Sequence, residues 1–231
     1  MSSNRWHAIW QRRTPYPDLT STLAQLIPLD GYNAFGGPSE TNWLAYIEQI
    51  AARLPIASDA SVFDVGCGSG AFLYPFYQAG RRVGGLDYSE TLVNIARATM
   101  PNADLQVGEA TTLNTAETFD VVVSQAMFMY LPSHDYAATV LRKMVQKATR
   151  SIGIFDVPDL ATRDADLAQR RQALGDEEYA RRYAGLDHQY YARDWFAQRL
   201  ADMAVNVRVE DQCLRGYAHS AYRFNVFIQR R

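Results

Sequence analysis

The stretch Val62-Phe63-Asp64-Val65-Gly66-Cys67-Gly68-Ser69-Gly70 decides the fold of this chain. Its first four residues are apolar except for Asp64, and they predict a short buried strand. Glycines then occupy alternate positions, and residues 71–74 can begin a helix. In α/β sheets, a strand followed by a tight glycine turn and a helix brings the main chain close to a nucleotide-like ligand. Glycine is needed in the turn because a Cβ would block that approach.

The spacing of the glycines separates two classes of nucleotide site. A dinucleotide fingerprint is G-x-G-x-x-G, whereas this turn is G-x-G-x-G with Asp64 two residues before the first glycine. On these residues the chain resembles the class I S-adenosylmethionine-dependent methyltransferases, whose first motif is an acidic residue followed by G-x-G-x-G. The resemblance implies that Asp64, Gly66, Cys67, Gly68 and Gly70 bind S-adenosylmethionine. A purely structural turn is the alternative interpretation.

A second apolar stretch ends in Asp87-Tyr88-Ser89, and Asp87 lies 21 residues after Gly66. A carboxylate near this distance reaches a ribose in nucleotide-binding folds, and it accepts two hydroxyl hydrogen bonds at once. The resemblance implies that Asp87 and Tyr88 lie in the cofactor site. Ser89 is placed to cap the helix predicted after it. The simpler alternative is that Asp87 is only a turn residue.

Two further segments occur where the family would place them. Residues 105–110 predict a third strand that ends in an acid, and the resemblance implies that Glu109 accepts from the adenine amino group while the Ala110 N–H meets the ring. The family more usually has the shorter aspartate at this position. The alternative interpretation is that Glu109 is only a solvated loop acid. Residues 119–125 predict a fourth strand, and the resemblance implies that its end, Ser124 and Gln125, borders the methionine moiety and the methyl group.

Strand and helix patterns alternate from residue 61 to residue 156, which predicts an α/β fold with a parallel, doubly wound sheet. Two strand-like segments follow at 205–209 and 222–228. The resemblance implies that they complete a Rossmann-like seven-stranded sheet, mostly parallel, with the last strand antiparallel. A helical stripe over 41–54 precedes the sheet. We therefore expect a methyltransferase domain over 41–231.

Residues 1–40 are rich in proline, glycine and aromatic side chains, and they show no periodicity, so we expect them to be irregular. This N-terminal aromatic segment is a possible lid over cofactor and substrate that excludes water, or it simply packs on the sheet. The aromatic residues concerned are Trp6, Trp10, Tyr16, Tyr32 and Phe35.

Composition excludes several classes of function. The chain has 231 residues and a formal net charge of −2, so it has no overall basic field, and we expect no nucleic-acid partner. No apolar run is long enough for a membrane span, and no apolar signal region follows the first residues, which predicts a cytoplasmic protein. Its 2 cysteines make neither a disulfide framework nor a zinc site, and we expect no metal.

The chemistry of methyl transfer leaves few marks in a sequence, because the donor is already activated and the protein mainly aligns the nucleophile. His188 and Tyr191, in or at the end of the loop over 185–191, are the predicted catalytic residues. An unperturbed imidazole can act as a general base near working pH, and a hydrogen-bonded structural histidine is the alternative for His188. The other candidates are Tyr130, His134, Tyr190, Tyr217, His219 and Tyr222.

The predicted function is methyl transfer from S-adenosylmethionine, with S-adenosylhomocysteine as product, to a hydroxyl or amine of a small metabolite. The overall pattern is loosely similar to methyltransferases of natural-product and sugar pathways. The alternatives are an RNA or protein methyltransferase, a non-catalytic binding module with the same fold, and an NAD-dependent oxidoreductase, which the glycine spacing disfavours. The identity of the acceptor and the oligomeric state stay open.

Overall fold

The computed structural model describes residues 5–15, 21–32 and 37–231. Of the predicted lid residues, Tyr16 and Phe35 lie outside the described part of the chain. Trp6, Trp10 and Tyr32 lie within it.

A seven-stranded sheet with the strand order β3-β2-β1-β4-β5-β7-β6 forms the centre of the molecule. Strands β1 to β5 run parallel to one another, and β7 is antiparallel to both β5 and β6. The predicted sheet, including its antiparallel strand, is thereby confirmed. The strands are β1 Val62–Val65, β2 Val83–Asp87, β3 Asp104–Val107, β4 Phe119–Gln125, β5 Ala148–Pro158, β6 Val205–Asp211 and β7 Arg223–Arg230.

The α-helices of the described residues pack on both faces of this sheet. Four of them begin at a serine whose hydroxyl accepts a main-chain N–H three residues on: Ser21, Ser39, Ser89 and Ser133. The helices are α1 Arg5–Gln11, α2 Thr22–Leu29, α3 Glu40–Arg53, α4 Tyr74–Gln78, α5 Glu90–Thr99, α6 His134–Lys147, α7 Arg163–Leu174, α8 Asp176–Tyr183 and α9 Trp195–Arg199.

Each face of the sheet has its own apolar core. Buried residues of α2, α3, α4 and α5 pack on one face, and those of α6 and α9 pack on the other. The strand order reverses beside β1, which pairs with β2 on one side and β4 on the other. In an open α/β sheet a ligand crevice lies at such a point, outside the carboxyl ends of the strands.

The expectation that residues 1–40 are irregular is wrong, because α1 and α2 both form there. Ser21 caps α2, and that helix buries Leu23, Leu26, Ile27 and Leu29 in its packing against the domain. The aromatic spacing of the segment gives no helical stripe, and the apolar face of α2 is recognisable only against the residues that it contacts. Within the described ranges, no helix combines the length and apolar character needed to cross a membrane.

Trp43 and Leu44 are neighbours on α3, and replacing each of them tests how much the buried face of this helix contributes to stability. Trp43 is fully buried, and its indole N–H donates to Ala71 O at 3.0 Å, whereas Leu44 is 37% exposed. We expect Trp43→Ala to lower the free energy of unfolding by about 3–5 kcal/mol, because a large buried ring is lost. Leu44→Ala should change it by at most about 0.5 kcal/mol. Urea denaturation measures both values, and equal losses would contradict this packing.

Candidate functional site

The turn after β1 has a backbone conformation that only glycine adopts easily. Gly66 and Gly68 have φ angles of +82° and +52°. A Cβ on Gly66 would lie 2.4 Å from Cγ of Met127, so no larger residue fits. The N–H of Gly66 donates to Leu86 O at 2.7 Å, which ties the turn to the end of β2. The main chain of this turn therefore faces the crevice directly.

Two carboxylates accept hydrogen bonds from the main chain of this turn. Asp87, at the end of β2, accepts the Gly68 N–H at 2.9 Å and the Ser89 N–H at 2.8 Å. Asp30, the residue that ends α2, accepts the N–H groups of Ser69 at 2.6 Å and Ala71 at 2.9 Å. Sequence reasoning missed Asp30, because its partners are about forty residues away along the chain and no local pattern links them.

A first cavity opens above this turn, between the carboxyl ends of β1, β2, β3 and β4. Four acids line it, and no lysine or arginine is found among its described lining residues. The residues that line it are Trp10, Asp30, Tyr32, Trp43, Asp64, Gly66, Cys67, Gly68, Phe72, Leu86, Asp87, Tyr88, Leu92, Gly108, Glu109, Ala110, Gln125, Ala126, Met127, Tyr130, Leu131, Pro132 and Tyr136.

The acids of the first cavity disfavour one another's ionisation. Burial raises the pKa of Asp30 to about 7, and the charge of Asp87 adds to this effect. Burial, followed by the charges of Asp30 and Asp87, raises the pKa of Asp64 well above its ordinary value. Oδ1 of Asp64 is buried and makes no hydrogen bond to any residue that the structure describes. Such a site favours a cationic ligand, and it disfavours the pyrophosphate of a dinucleotide.

Nine of the predicted cofactor residues lie on the first cavity: Asp64, Gly66, Cys67, Gly68, Asp87, Tyr88, Glu109, Ala110 and Gln125. Gly70 and Ser124 are not part of its lining. A Cβ on Gly70 would lie 2.4 Å from Cε of Met100, so this glycine allows α5 to approach closely. Ser124 is fully buried within β4.

The outer rim of the first cavity is made by Glu109 and its neighbours. Glu109 is exposed at the start of a short 3₁₀ helix, and it accepts the Tyr136 hydroxyl at 3.0 Å. Nε2 of His7, from α1, lies 2.9 Å from the Glu109 carboxylate. The His7 ring also stacks on Tyr88, with 3.9 Å between the ring centroids. Helix α1 therefore covers the edge where Tyr88 and Glu109 meet.

Backbone strain marks the ends of β4 and β5. Ala126 and Asp156 have positive φ angles of 55° and 58°, which are costly for residues other than glycine. The Tyr32 hydroxyl donates to Oδ2 of Asp156 at 3.1 Å and receives a hydrogen bond from Nε2 of Gln125. This buried chain of polar groups borders the first cavity at Tyr32 and Gln125, and sequence reasoning included Tyr32 only among the lid aromatics.

A second cavity, of about 340 Å³, lies beside the first. Trp10 and Tyr130 line both cavities, so they form the wall between them. The residues that line the second cavity are Trp6, Ile9, Trp10, Arg13, Gly31, Met129, Tyr130, Arg170, Arg182, Tyr183, Leu186, His188, Tyr217 and His219.

The two predicted catalytic residues occupy different places. His188 lines the second cavity and stacks on Trp6, with 4.9 Å between the ring centroids. Burial, together with the nearby charge of Arg170, lowers the pKa of His188 well below its ordinary value, so its ring is neutral at neutral pH. Tyr191 lines neither cavity. It is fully buried, and its hydroxyl donates to Phe128 O at 2.9 Å.

Comparison with known proteins identifies the central part of the chain. Residues 62–150 match a family model described as a methyltransferase domain. This segment of the chain is a methyltransferase domain. This methyltransferase domain covers the glycine turn, strands β1 to β4 and helix α6.

Relatives of known activity resemble the chain over part of its length. A dTDP-4-amino-2,3,4,6-tetradeoxy-D-glucose N,N-dimethyltransferase of Saccharopolyspora spinosa is 29% identical over 132 residues, which are 55% of this chain and 52% of that protein. A trans-aconitate 2-methyltransferase of Methylobacterium nodulans is 28% identical over 139 residues, which are 58% of this chain and 52% of that protein. The chain thus spans about half the length of these relatives.

A solved structure shares the fold over the whole chain. The N-methyltransferase NodS from Bradyrhizobium japonicum, in complex with S-adenosyl-L-homocysteine, superposes with a TM-score of 0.64 over 97% of each chain, at 15% identity. At this identity the likeness is one of fold. The methyltransferase domain of the present chain therefore has the architecture of that enzyme.

The residues of the first cavity fit S-adenosylmethionine. The orphaned Oδ1 of Asp64 and the carboxylate of Asp30 suit a ligand that carries an ammonium and a sulfonium charge. Only glycine fits at positions 66 and 68, because a Cβ there would lie 2.4 Å from a neighbouring side chain. The turn thus has no side chains at these two positions, which leaves room for such a ligand. Asp87, one step further along the sheet edge, can accept from a sugar diol.

The pKa of Asp30 predicts how stability depends on pH. Since its folded pKa of about 7 exceeds the ordinary value of 3.8, the folded state binds the proton more tightly between these values. The stability contributed by this group is therefore lost as pH rises from about 4 to about 7.

We expect the free energy of unfolding of Asp30→Asn to rise relative to the wild-type chain across this window, since asparagine does not ionise. Urea denaturation of both ligand-free proteins at pH 4.5, 6 and 7.5 measures the difference. The charge of Asp30 also raises the pKa of Asp64, so its removal lowers that pKa and adds to the difference in the same direction. A difference that stays constant with pH would contradict the pKa assigned to Asp30.

Proposed function

We propose that this chain transfers the methyl group of S-adenosylmethionine to a hydroxyl or amine of a small metabolite, such as a sugar or natural-product intermediate. One observation carries the proposal. A glycine turn and four acids line the first cavity, with no lysine or arginine among the lining residues that the structure describes, and a second cavity adjoins it across Trp10 and Tyr130. A cationic cofactor and a separate acceptor thus each have a place.

The residues of the first cavity would bind and orient the cofactor. Asp87 would accept the ribose hydroxyls, and Glu109 the adenine amino group, beside the main chain of Ala110. Asp64 and Asp30 would face the ammonium group, whose charge relieves their mutual repulsion. When bound, S-adenosylmethionine supplies an activated methyl group on a sulfonium. The protein then contributes alignment and the exclusion of water.

His188 is the residue that we propose as proton acceptor. Its neutral ring lines the second cavity, where a hydroxyl or protonated amine of the acceptor would lie. Tyr191, the other predicted catalytic residue, would act through the main chain. Its hydrogen bond to Phe128 O holds the turn that carries Tyr130, which lies between the two cavities.

The names of the relatives agree with a small acceptor. One relative acts on an amino sugar attached to a nucleotide, and the other on trans-aconitate, a small carboxylic acid. A polyanionic acceptor such as RNA finds little support in a chain of net charge −2. An NAD-dependent reaction is disfavoured by the four acids of the first cavity.

The decisive experiment has two stages. Calorimetry with S-adenosylhomocysteine and with NAD establishes which cofactor the chain binds, and we expect only the former. A metabolite extract is then incubated with the chain and S-adenosylmethionine labelled on the methyl group, and mass spectrometry finds the labelled product. Binding of NAD alone would refute the proposed function. Cofactor binding without any labelled product would favour the non-catalytic module.

Replacement of Asp87 tests the cofactor site. We expect Asp87→Ala to weaken the affinity for S-adenosylhomocysteine by about 1–3 kcal/mol, since ribose hydroxyls and the Gly68 N–H lose their acceptor. Glu90→Ala is the matched control, because Glu90 is an exposed acid on the same loop and helix start. Calorimetry measures both affinities. An unchanged affinity in Asp87→Ala would remove this residue from the site.

We propose that the described N-terminal segment, with α1 and α2, covers the cofactor. Trp10 O accepts the Ser89 hydroxyl at 3.1 Å, and His7 stacks on Tyr88. Trp10 and Tyr32 line the first cavity. Helix α2 must stay for this test, because its leucines are buried.

Deletion of residues 1–15 therefore removes α1 and leaves α2 in place. We expect the shortened chain to keep a cooperative thermal unfolding transition. It should bind S-adenosylhomocysteine at least about tenfold more weakly, because the contacts of α1 are lost, and a tenfold loss of affinity is about 1.4 kcal/mol. Calorimetry and melting curves measure the two properties. An affinity equal to that of the full chain would show that α1 only packs on the domain.

A further inference from the structure

The second cavity has the opposite charge from the first. Arg13, Arg170 and Arg182 line it, and no carboxylate is found among its described lining residues. Arg182 lies at the mouth, where it is half-exposed and pairs with Glu178 at 3.0 Å. Arg13 and Arg170 are the two arginines whose charge lies further from the solvent.

Arg170 is held in place from behind by an acid that has several partners. Its Nε lies 3.3 Å from the carboxylate of Asp166. Asp166 also accepts from Nδ1 of His219 at 2.8 Å, from a guanidinium nitrogen of Arg223 at 3.0 Å and from the Tyr190 hydroxyl at 2.7 Å. One carboxylate is thus shared by two buried arginines, and it does not neutralise both.

A second buried acid, Asp156, lies on the Arg223 side of this cluster. Asp156 lies 3.5 Å from Nε of Arg223, and burial raises the pKa of Asp156. Nε and one terminal nitrogen of Arg223 make no hydrogen bond within the described ranges of the chain. Nε of Arg13 is likewise buried with no hydrogen-bond partner among the described residues. Arg13, which lines the second cavity, therefore keeps a buried N–H donor that no described residue uses.

The walls of the second cavity are aromatic. Trp6 stacks on His188, and Tyr130 meets Trp6 edge to face at 4.7 Å between the ring centroids. The guanidinium of Arg13 lies 4.7 Å from the ring centroid of Trp10. Flat apolar walls with guanidinium groups between them suit a planar molecule that carries an anionic group.

We propose that the second cavity binds the methyl acceptor, and that this acceptor is a planar carboxylic acid whose carboxylate lies against Arg13 and Arg170. The proposal rests on the proposed function, because the cavity is assigned to the acceptor only if the first cavity holds the cofactor. The acceptor would lie against Trp10 and Tyr130, which also line the first cavity. Guanidinium groups bind carboxylates through paired N–H donors, and this specifies the charge of the ligand.

Paired probes test this assignment. A set of aromatic and unsaturated carboxylic acids, such as benzoate, cinnamate and 4-hydroxybenzoate, is compared with the matching primary amides. Ligand-observed NMR titrations, with the chain saturated with S-adenosylhomocysteine, give the affinities. We expect the acids to bind at least tenfold more tightly than their amides. Equal affinities, or no binding in either series, would overturn the proposal.

Three variants test which arginines bind the carboxylate of the probe acids. We expect Arg13→Gln and Arg170→Gln each to weaken acid binding at least fivefold and to leave amide binding unchanged. Arg150→Gln is the control, since Arg150 is exposed near the start of β5, at the opposite edge of the sheet. Arg13→Gln keeps the test valid if Arg170→Gln fails to fold. Acid binding that is unchanged in Arg13→Gln would overturn the proposal.

Calorimetry with S-adenosylhomocysteine on the same proteins separates the two proposals. If the chain fails to bind S-adenosylhomocysteine yet binds the acids without it, the proposed function fails and the arginine-lined cavity stands as an anion site. If the chain binds S-adenosylhomocysteine but does not prefer acids to amides, the proposed function stands and the carboxylate assignment is wrong.

Discussion

The main-chain turn at the end of β1 depends on two carboxylates that reach it from different parts of the chain. Asp87 holds the N–H of Gly68, and Asp30 holds those of Ser69 and Ala71. Each acid is thereby kept close to the other and to Asp64, and burial, with the charges of neighbouring acids, raises the pKa of Asp30 and of Asp64. The geometry of the turn thus creates a concentration of negative charge that a cationic ligand relieves.

The same contacts connect the N-terminal helices to the domain. Asp30 ends α2, so the hydrogen bonds that shape the glycine turn also fix the end of that helix. Tyr32, two residues later, reaches Asp156 in the strained end of β5. Trp10 on α1 then forms part of both cavities. The N-terminal segment is therefore a structural part of the site.

Two adjoining cavities of opposite charge give the proposed reaction a simple physical basis. The acid-lined cavity would attract a cationic methyl donor, and the arginine-lined cavity an anionic acceptor. Trp10 and Tyr130 separate them, so the two ligands would meet at an apolar wall from which water is excluded. Loss of the sulfonium charge on methyl transfer would then weaken the hold of the acids on the product.

Local patterns were enough to predict the strands and the Ser89 cap, because each depends on neighbouring residues, and the resemblance to a methyltransferase family supplied the antiparallel last strand. Asp30, Arg170 and the second cavity could not be predicted in this way. Their partners come from elements that are distant in sequence, and only packing brings them within hydrogen-bond distance. By itself the sequence determined the sheet and the cofactor class, whereas the tertiary structure decided which charges line each cavity, because those side chains come from elements that are far apart in the sequence.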